Sequence, residues 1–432
     1  MNHLVNFKVK NFRSFYEETI FSMQAIPNKE FAELNTFKCN EKLFPKNENE
    51  LLKTATIFGA NASGKTNLVK ALDFMRSLIL TSSNPLNPIV QRNTPFAFYN
   101  CSENEPTLFE IEIVSNGVFY DYGFEITDKK FTNEFLKKRA NGRLVEIFNR
   151  NIMGVELTPT KKRNAPFGNI NNQSLFLSFA NTPFLALDAD IIQDLKNVLA
   201  WFSEPNLFVV NDSIENWYKI YEEEDGKYAQ RALEFIKQAD IGIEDFSVVR
   251  EKLSEKDTLI PIKGNLPPQI LPLGKEILGL DLKTDFNVFD KDAHVVGKRE
   301  VYLHRDFGFH SDGTYRLMSI LGLILKVLDK GGVLVIDEID SKLNFLIVDY
   351  IFNAFNSINV NINNAQLIST AHNVLLMDDN LRRDQIYFAS KNKFGATEFY
   401  SLSDFNDVRK TDLFSKKYLS GFYSAIPHFK GV

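Results

Sequence analysis

One short run of the chain, Gly59 to Thr66 (GANASGKT), carries two glycines, a lysine and a hydroxyl at the spacing G-x-x-x-x-G-K-[ST]. Glycines let successive backbone N–H groups turn towards phosphate oxygens, and the N-terminus of a following helix adds partial positive charge. The apolar segment 54–58 precedes the run, and a helix-periodic segment begins at Asn67. The spacing and its context predict a phosphate-binding loop rather than an ordinary glycine turn.

The residue types in this loop assign separate tasks. Lys65 is predicted to reach the β- and γ-phosphates of ATP and to act in catalysis, and the Thr66 hydroxyl is predicted to ligate Mg²⁺. The predicted nucleotide contacts of the loop are Gly59, Asn61, Ser63, Gly64, Lys65, Thr66 and Asn67.

A second chemical element is the segment 333–340 (VLVIDEID), an apolar strand that ends in adjacent carboxylates. Asp337 is predicted to hold Mg²⁺, directly or through water. Glu338 is predicted to accept the proton of an attacking water as a general base. The alternative interpretation is an acidic loop at a strand end, and the presence of a phosphate-binding loop favours the catalytic one.

Two further positions become informative in that context. Ser311 and Gly313 lie at the start of an amphipathic helix, where a hydroxyl, backbone N–H groups and the helix dipole can hold an anion. The alternative is a simple helix cap by Ser311 or Asp312. His372 ends another apolar strand (LISTAHN) and is predicted to reach the γ-phosphate region, the alternative being an ordinary loop histidine.

These four elements, in this order, resemble the ABC-type ATPases of the RecF/SMC/OLD branch and the bacterial AAA/ABC hybrid ATPases of phage-defence (abortive infection) operons. The resemblance covers roughly residues 1–180 and 300–432. It rests on the opening NFRSF, the Walker A run GANASGKT, the signature-like SDGT, the Walker B run VLVIDEID and the switch-like ISTAHN. The tail RRDQIYFASKNKFGATEFYSLSDF and the ending YLSGFYSAIP are similar to the defence-associated subgroup.

The resemblance implies an ATP-sandwiched homodimer or higher oligomer with two shared sites. Ser311 and Gly313 would cover the nucleotide from the partner chain. The groups acting from the first chain would be Lys65, Thr66, Asp337, Glu338 and His372. Asn11 and Arg13 fall where the family places nucleotide contacts near the first strand, and they could equally be loop residues.

The sequence departs from the family pattern in four respects. One is the loop 341–344 (SKLN) after the acid pair, where relatives commonly have His or Asp at the position of Asn344. The Q-loop glutamine is not assigned between Gln91 and Gln173. No heptad array is long enough for an SMC-type coiled coil. About sixty residues follow His372, too few for the nuclease domain that is fused to OLD proteins.

The predicted fold class is α/β. It consists of an ABC-ATPase-like P-loop fold, with a mainly parallel sheet core and an antiparallel β subdomain. A helical insertion is expected between the Walker A and signature motifs. The predicted parts are residues 1–185 (Walker A and β subdomain), 186–300 (mainly helical insertion) and 301–432 (signature, Walker B and switch histidine).

Composition narrows the possible partners. The formal net charge is −5, which gives no general electrostatic case for nucleic acid, although the clusters 137–139 and 161–163 are locally basic. Cys39 and Cys101 form no C-x-x-C pair, so a cysteine-based metal site is not expected. The absence of a signal peptide or a bilayer-length apolar run predicts a cytoplasmic protein without membrane contact.

Two functions are consistent with these motifs. The resemblance favours a nucleotide-gated ATPase switch in a bacterial anti-phage system that controls a separate effector protein, for example a nuclease. The alternative is a RecF-like ATPase that binds duplex DNA in repair or maintenance. A scaffold that binds ATP only to dimerise is a third possibility, and the intact Glu338 argues against it.

Overall fold

The computed structural model separates into two compact units. The first comprises Met1–Val209, Lys330–Ile339 and Asp349–Val432, and the second comprises Val210–Asp329 and Asp340–Val348. The residues that the structure describes are 2–84, 86, 89–140, 142–157, 171–182, 187–210, 217–239, 241–252, 278–306, 308–378, 381–408 and 412–426.

The regular elements alternate between strands and helices along much of the chain. The strands are β1 (His3–Lys10), β2 (Thr19–Ser22), β3 (Thr36–Lys38), β4 (Glu50–Leu52), β5 (Thr54–Phe58), β6 (Thr107–Ser115), β7 (Val118–Thr127), β8 (Lys130–Ala140), β9 (Arg143–Asn151), β10 (Gly154–Leu157), β11 (Leu207–Val210), β12 (Asp245–Lys252), β13 (Leu278–Phe289), β14 (Val295–Tyr302), β15 (Val333–Ile336), β16 (Gln366–Thr370), β17 (Ile386–Lys391) and β18 (Thr397–Ser401). The α-helices are α1 (Ala32–Asn35), α2 (Lys65–Thr81), α3 (Ala189–Trp201), α4 (Lys227–Gln238), α5 (Asp312–Lys330), α6 (Phe345–Asn356) and α7 (Phe414–Leu419).

A six-stranded sheet in the first unit has the order β11-β15-β16-β5-β17-β18. The neighbours β15, β16, β5 and β17 run parallel, and β18 is antiparallel to β17. Strands β5, β15 and β16 are buried throughout, which explains why none of them alternates between apolar and charged residues. The predicted mainly parallel sheet core is confirmed. Because parallel strands end at one edge, the segments after β5, β15 and β16 meet there.

A seven-stranded sheet, in the order β10-β9-β8-β7-β6-β1-β2, forms the second layer of the first unit. Its strands alternate: Phe7, Val9 and Phe109 enter the core, while Lys8 and Glu110 pair on the other face. Apolar residues of α2 belong to the same hydrophobic cluster as this face and as β5. The sheet therefore supports the helix that follows the predicted phosphate loop.

The run 173–180 (QSLFLSFA) has the apolar composition of a strand, and a strand is predicted there, but the structure does not form one. Residues 173–180 form turns and a short 3₁₀ helix, Leu177–Phe179. The buried Glu134 carboxylate accepts hydrogen bonds from the backbone N–H groups of Phe176 and Leu177, at 2.7 and 3.0 Å. These donors are taken by a side chain rather than by a neighbouring strand, so the apolar run QSLFLSFA folds as a turn.

The second unit combines the helices α4 and α5 with a three-stranded antiparallel sheet, β12-β13-β14. Tyr221 lies against α5 at Gly322, and its hydroxyl donates to the Met318 carbonyl at 2.8 Å. The region 186–300 thus contains strands as well as helices, whereas the sequence predicted mainly helices. Most residues of β14 are exposed, and its sequence does not alternate between apolar and polar residues, so no pattern indicated a strand.

None of the described helices is both long and apolar enough to cross a bilayer.

Candidate nucleotide-binding site

The loop between β5 and α2 has the tight backbone that its glycines permit. Gly64 immediately precedes α2 at φ 117°, and a Cβ at this position would lie 2.1 Å from Thr397 Oγ1. Gly59 has φ 155°, and a Cβ there would lie 2.2 Å from the Ala389 carbonyl oxygen. Both positions therefore require glycine, because β17 and β18 approach the loop backbone too closely for a side chain.

The interior of this loop suits an anion. Lys65 is buried, and its ammonium donates to the carbonyls of Gly59 and Ala60 at 2.8 and 3.1 Å. The buried Ser63 Oγ has no hydrogen-bond partner among the residues described. No described side chain caps the N-terminus of the 17-residue helix α2. A phosphate would satisfy these donors, so the residues present fit the triphosphate of a nucleotide.

The remaining predicted loop residues differ in accessibility. Asn61 is exposed, whereas Thr66 is half-buried in the first turn of α2. Asn67 is also half-buried, and its side-chain amide donates to Ser14 Oγ at 2.7 Å. Thr66 is thus placed to offer its hydroxyl to a cation at the phosphates, while the Asn67 amide is engaged within the protein.

A hydroxyl pair that sequence reasoning missed braces the loop. Thr397 Oγ1 donates to the Ser63 carbonyl at 2.7 Å and lies 2.8 Å from Ser14 Oγ. The backbone N–H of Thr397 also donates to the Ser14 carbonyl at 2.7 Å. Ser14 lies within the NFRSF run that supported the resemblance, so a signal for it was present. Thr397 likewise lies in the tail run that is similar to the defence-associated subgroup, but no local pattern there predicts its contact with the loop.

The acid pair ends β15, one strand away from β5. Thr370 Oγ1, at the end of β16, donates to Asp337 Oδ1 at 2.6 Å and accepts from the Glu338 backbone N–H at 2.7 Å. Asp337 is buried, and Glu338 adopts a left-handed backbone at φ 49°. Thr370, which the sequence analysis did not single out, therefore orients both carboxylate-bearing residues. Its signal was its place in ISTAHN, two residues before His372.

His372 lies beside the predicted general base. Its Nε2 is 3.7 Å from Glu338 Oε1, and both side chains are about two-fifths exposed, a fraction that leaves each open to a substrate. The order of the parallel strands brings the histidine after β16 next to the glutamate after β15. Glu338, His372, Asp337 and Thr370 thus form one cluster at the carboxyl edge of the sheet that carries the phosphate loop.

The signature-like turn belongs to the second unit. Ser311 is exposed and precedes α5, and its Oγ accepts from the backbone N–H of Thr314 at 3.1 Å. A Cβ on Gly313 would lie 2.6 Å from the Lys342 carbonyl oxygen. Ser311 therefore caps the first turn of α5, and its side chain is also exposed to solvent.

The two residues proposed near the first strand have different surroundings. Asn11 is fully buried: its amide donates to the carbonyls of Ser102 and Glu105, and its oxygen accepts from the Phe96 backbone N–H at 3.0 Å. The Asn11 side chain thus holds the loop 96–105 in place. Arg13 has a left-handed backbone, with φ 52°, and its side chain is exposed to solvent rather than buried like that of Asn11.

The basic cluster 137–139 is largely neutralised by internal ion pairs. Lys137 lies 3.4 Å from Asp121 Oδ2, and Lys138 lies 2.6 Å from Asp194 Oδ2. The second basic cluster, 161–163, lies outside the described residues. The first cluster therefore offers less free positive charge than its sequence suggests.

Comparison with known proteins places this site in a family. Residues 55–378 match the family described as "AAA domain, putative AbiEii toxin, Type IV TA system". No curated protein matches the sequence. Among solved structures, the chain is similar to the SMC head domain from Thermotoga maritima, at 14% identity over 92% of this chain and 98% of that one, with a TM-score of 0.33. The family match spans well over half of the 432 residues and includes the phosphate loop, the acid pair and the histidine. The chain therefore belongs to this AAA-domain family of P-loop ATPases.

Proposed function

We propose that the protein binds ATP with Mg²⁺ at the β5–α2 loop and hydrolyses it in a nucleotide-gated switch. The observation that carries the proposal is that the phosphate-binding loop and the acid pair lie at the same edge of one sheet. The phosphate loop with Lys65 follows β5, and the Asp337–Thr370–Glu338 hydrogen-bonded chain spans the ends of β15 and β16. A strand-end acid next to a phosphate loop is the arrangement that ATP hydrolysis requires.

Each residue has a task in that reaction. Loop backbone N–H groups and Lys65 bind the phosphates, and Thr66 and Asp337 are the residues that would hold Mg²⁺. The bound ion supplies positive charge that offsets the charge of the phosphate oxygens. Glu338 accepts a proton from water as the water oxygen bonds to the γ-phosphorus. The bond from that phosphorus to the bridging oxygen breaks, which releases ADP and inorganic phosphate.

The switch is proposed to close between two copies of the chain. Ser311 and Gly313 of one copy would contact the nucleotide held by the other, as the family resemblance implies. The exposed Ser311 hydroxyl at the start of the 19-residue helix α5 is compatible with this role. Hydrolysis would then depend on the association of two copies, and ATP would favour a homodimer or higher oligomer.

The biological role proposed for this switch is anti-phage defence through a separate effector protein, for example a nuclease. The family description names a putative toxin and a type IV toxin–antitoxin system. A toxin–antitoxin system has at least two components, which supports a protein partner for this chain. The ATPase dimer would sense an invasion signal and control that partner in the cytoplasm.

The test is the oligomeric mass by light scattering, with and without ATP and Mg²⁺, for the wild type, Glu338→Gln and Ser311→Arg. We expect Glu338→Gln to accumulate an ATP-bound dimer or higher oligomer, because binding persists while proton removal is blocked. Ser311→Arg should abolish both that assembly and ATP turnover. Unchanged turnover in Ser311→Arg would refute the shared site.

The salt dependence of binding distinguishes the RecF-like alternative from the defence role. Binding of duplex DNA with an affinity that falls steeply as salt rises would support a DNA-binding ATPase. Capture of a protein partner by the Glu338→Gln dimer, insensitive to salt, would support the switch.

A further inference from the structure

The first unit exposes aromatic rings beside the phosphate loop. We define an aromatic ledge as Phe96, Phe98, Tyr99 and Phe394. Phe98 is 70% exposed and Phe394 is 52% exposed, although both belong to an otherwise packed cluster. Large apolar side chains that remain this open, and that are linked through the rings of Phe96 and Tyr99, commonly mark a binding surface.

The ledge is held rigidly by aromatic contacts and a tight turn. Ring centroids of Phe96 and Phe98 lie 5.5 Å apart, those of Phe96 and Tyr99 5.0 Å apart, and those of Tyr99 and Phe394 5.9 Å apart. The Phe98 ring also lies over Gly395, where a Cβ would come within 3.1 Å of it. The exposed faces are therefore pre-positioned rather than mobile.

Short hydrogen-bonded connections join the ledge to the phosphate loop. Thr397, three residues after Phe394, donates through Oγ1 to the Ser63 carbonyl of the loop. On the other side, Asn11 fixes the segment that contains Phe96, and the Arg13 backbone N–H donates to the Thr94 carbonyl at 2.8 Å. The first residue of β18, Thr397, and the NFRSF segment therefore connect the ledge to the loop.

The sheet order gives the site a direction. Glu338 and His372 follow β15 and β16, on one side of β5, whereas β17 and β18 lie on its other side. Hydrolysis needs the terminal phosphate at Glu338. We expect the nucleoside end of the substrate on the opposite side of the loop, towards β17 and β18, where Thr397 connects the loop to the segments of the ledge and of the exposed Arg13.

We propose that the aromatic ledge binds the base of the nucleotide by stacking it on the exposed faces of Phe98 and Phe394. The inference rests on the proposed function, since it assigns the base subsite of the same ATP site. Aromatic rings bind any nucleobase through its flat face, so the ledge supplies affinity rather than strict base selection. Phosphate binding is left to the loop.

The experiment compares two ligands that differ by the nucleoside. Isothermal titration calorimetry of the full chain measures the affinity for ADP and for pyrophosphate, each with Mg²⁺, and neither ligand is consumed by hydrolysis. Phe98→Ala is expected to weaken ADP binding about tenfold, the usual effect of removing one stacking ring. Its pyrophosphate affinity should equal that of the wild type, which also reports that the loop is folded.

Two matched variants complete the test. Phe98→Tyr keeps a flat ring and should retain ADP affinity within about twofold. Phe289→Ala removes a ring that is 56% exposed on β13, in the second unit, and should leave both affinities unchanged. Phe394→Ala should follow Phe98→Ala.

The outcomes separate this inference from the function beneath it. Unchanged ADP affinity in both Phe98→Ala and Phe394→Ala overturns the stacking proposal and leaves the ATP site standing. An equal loss for ADP and pyrophosphate also overturns it, because the rings would then support the loop instead of the base. A wild type that binds neither ligand overturns the proposed function, and the base subsite falls with it.

Discussion

Asp121 provides a quantitative test of the energetics of the seven-stranded sheet. This carboxyl group on β7 is only 5% exposed, and its Oδ1 has no hydrogen-bond partner in the described part of the chain. Burial, with the nearby Glu110 carboxylate, raises its pKa to about 6 from 3.8, although Lys137 acts in the opposite direction. The folded protein therefore holds this proton more tightly than the unfolded chain does.

The sign of the pH dependence follows from that difference. Between pH 3.8 and about 6, the unfolded chain loses the proton while the folded protein keeps it, so the stability falls as pH rises. Above about pH 6 the stability no longer falls, because both the folded and the unfolded carboxyl groups are then ionised. At about 1.4 kcal/mol per pKa unit, the loss amounts to about 3 kcal/mol at pH 8 and roughly half of that at pH 5.

Asp121→Asn removes the titration while keeping an oxygen that can accept from Lys137. We expect the variant to be more stable than the wild type by up to about 3 kcal/mol at pH 8, with the gain shrinking towards zero near pH 4. Urea denaturation at pH 4, 5, 6 and 8 measures the difference at each pH. His3, whose pKa burial lowers to about 3, destabilises the fold in acid, so each comparison uses the wild type at the same pH.

Asp128→Asn is the matched control. Asp128 is 86% exposed in the β7–β8 turn and lies 3.6 Å from Lys130, so its replacement should change stability by less than about 0.5 kcal/mol at every pH. If Asp121→Asn instead destabilises the protein at pH 8 by as much as at pH 5, the Lys137 ion pair outweighs the burial cost. Desolvation of Asp121 would then not be the dominant contribution to the pH dependence of stability.

Three further substitutions test the core and the site. Glu134→Gln leaves the buried Arg150 guanidinium, 3.1 Å from the carboxylate, without its counter-charge, and should lower the free energy of unfolding by about 3–5 kcal/mol in urea denaturation. Thr370→Val removes the hydroxyl that orients both acids, and ATP turnover measured by phosphate release should fall at least about tenfold while ATP binding persists. Gly64→Ala forces a Cβ to 2.1 Å from Thr397 Oγ1 and should abolish pyrophosphate binding in calorimetry.

Each of these has its own control and contrary result. Lys8–Glu110 is a partly exposed pair, so Glu110→Gln should cost less than about 1 kcal/mol, and an equal cost for Glu134→Gln would contradict the role of burial. Thr370→Ser keeps the hydroxyl and should retain turnover, and loss there would point to packing instead. Gly117→Ala, with φ 77° and open space around it, should leave pyrophosphate binding intact, which separates the crowded loop from backbone strain alone.

Short-range sequence patterns predict the local parts of the site. Strand β5, the loop 59–66 and the start of α2 follow from an apolar run, two glycines and a helix period, all within about twenty consecutive residues. The structure places β5 at Thr54–Phe58, as predicted, and begins α2 at Lys65, two residues before the predicted start at Asn67. The acid pair after β15 and the histidine after β16 follow from the same kind of short-range pattern.

Contacts between segments that are distant along the chain do not follow from such patterns. Ser14 and Thr397 brace a loop from which they are far removed in sequence, and nothing in the residues near Thr397 signals that contact. The run 173–180 has the composition of a strand, yet the buried Glu134 takes its backbone donors and makes it a turn. Local patterns record which side of an element is apolar. The partner of a buried polar group depends on where the chain returns, and that is decided by the packing of the whole fold.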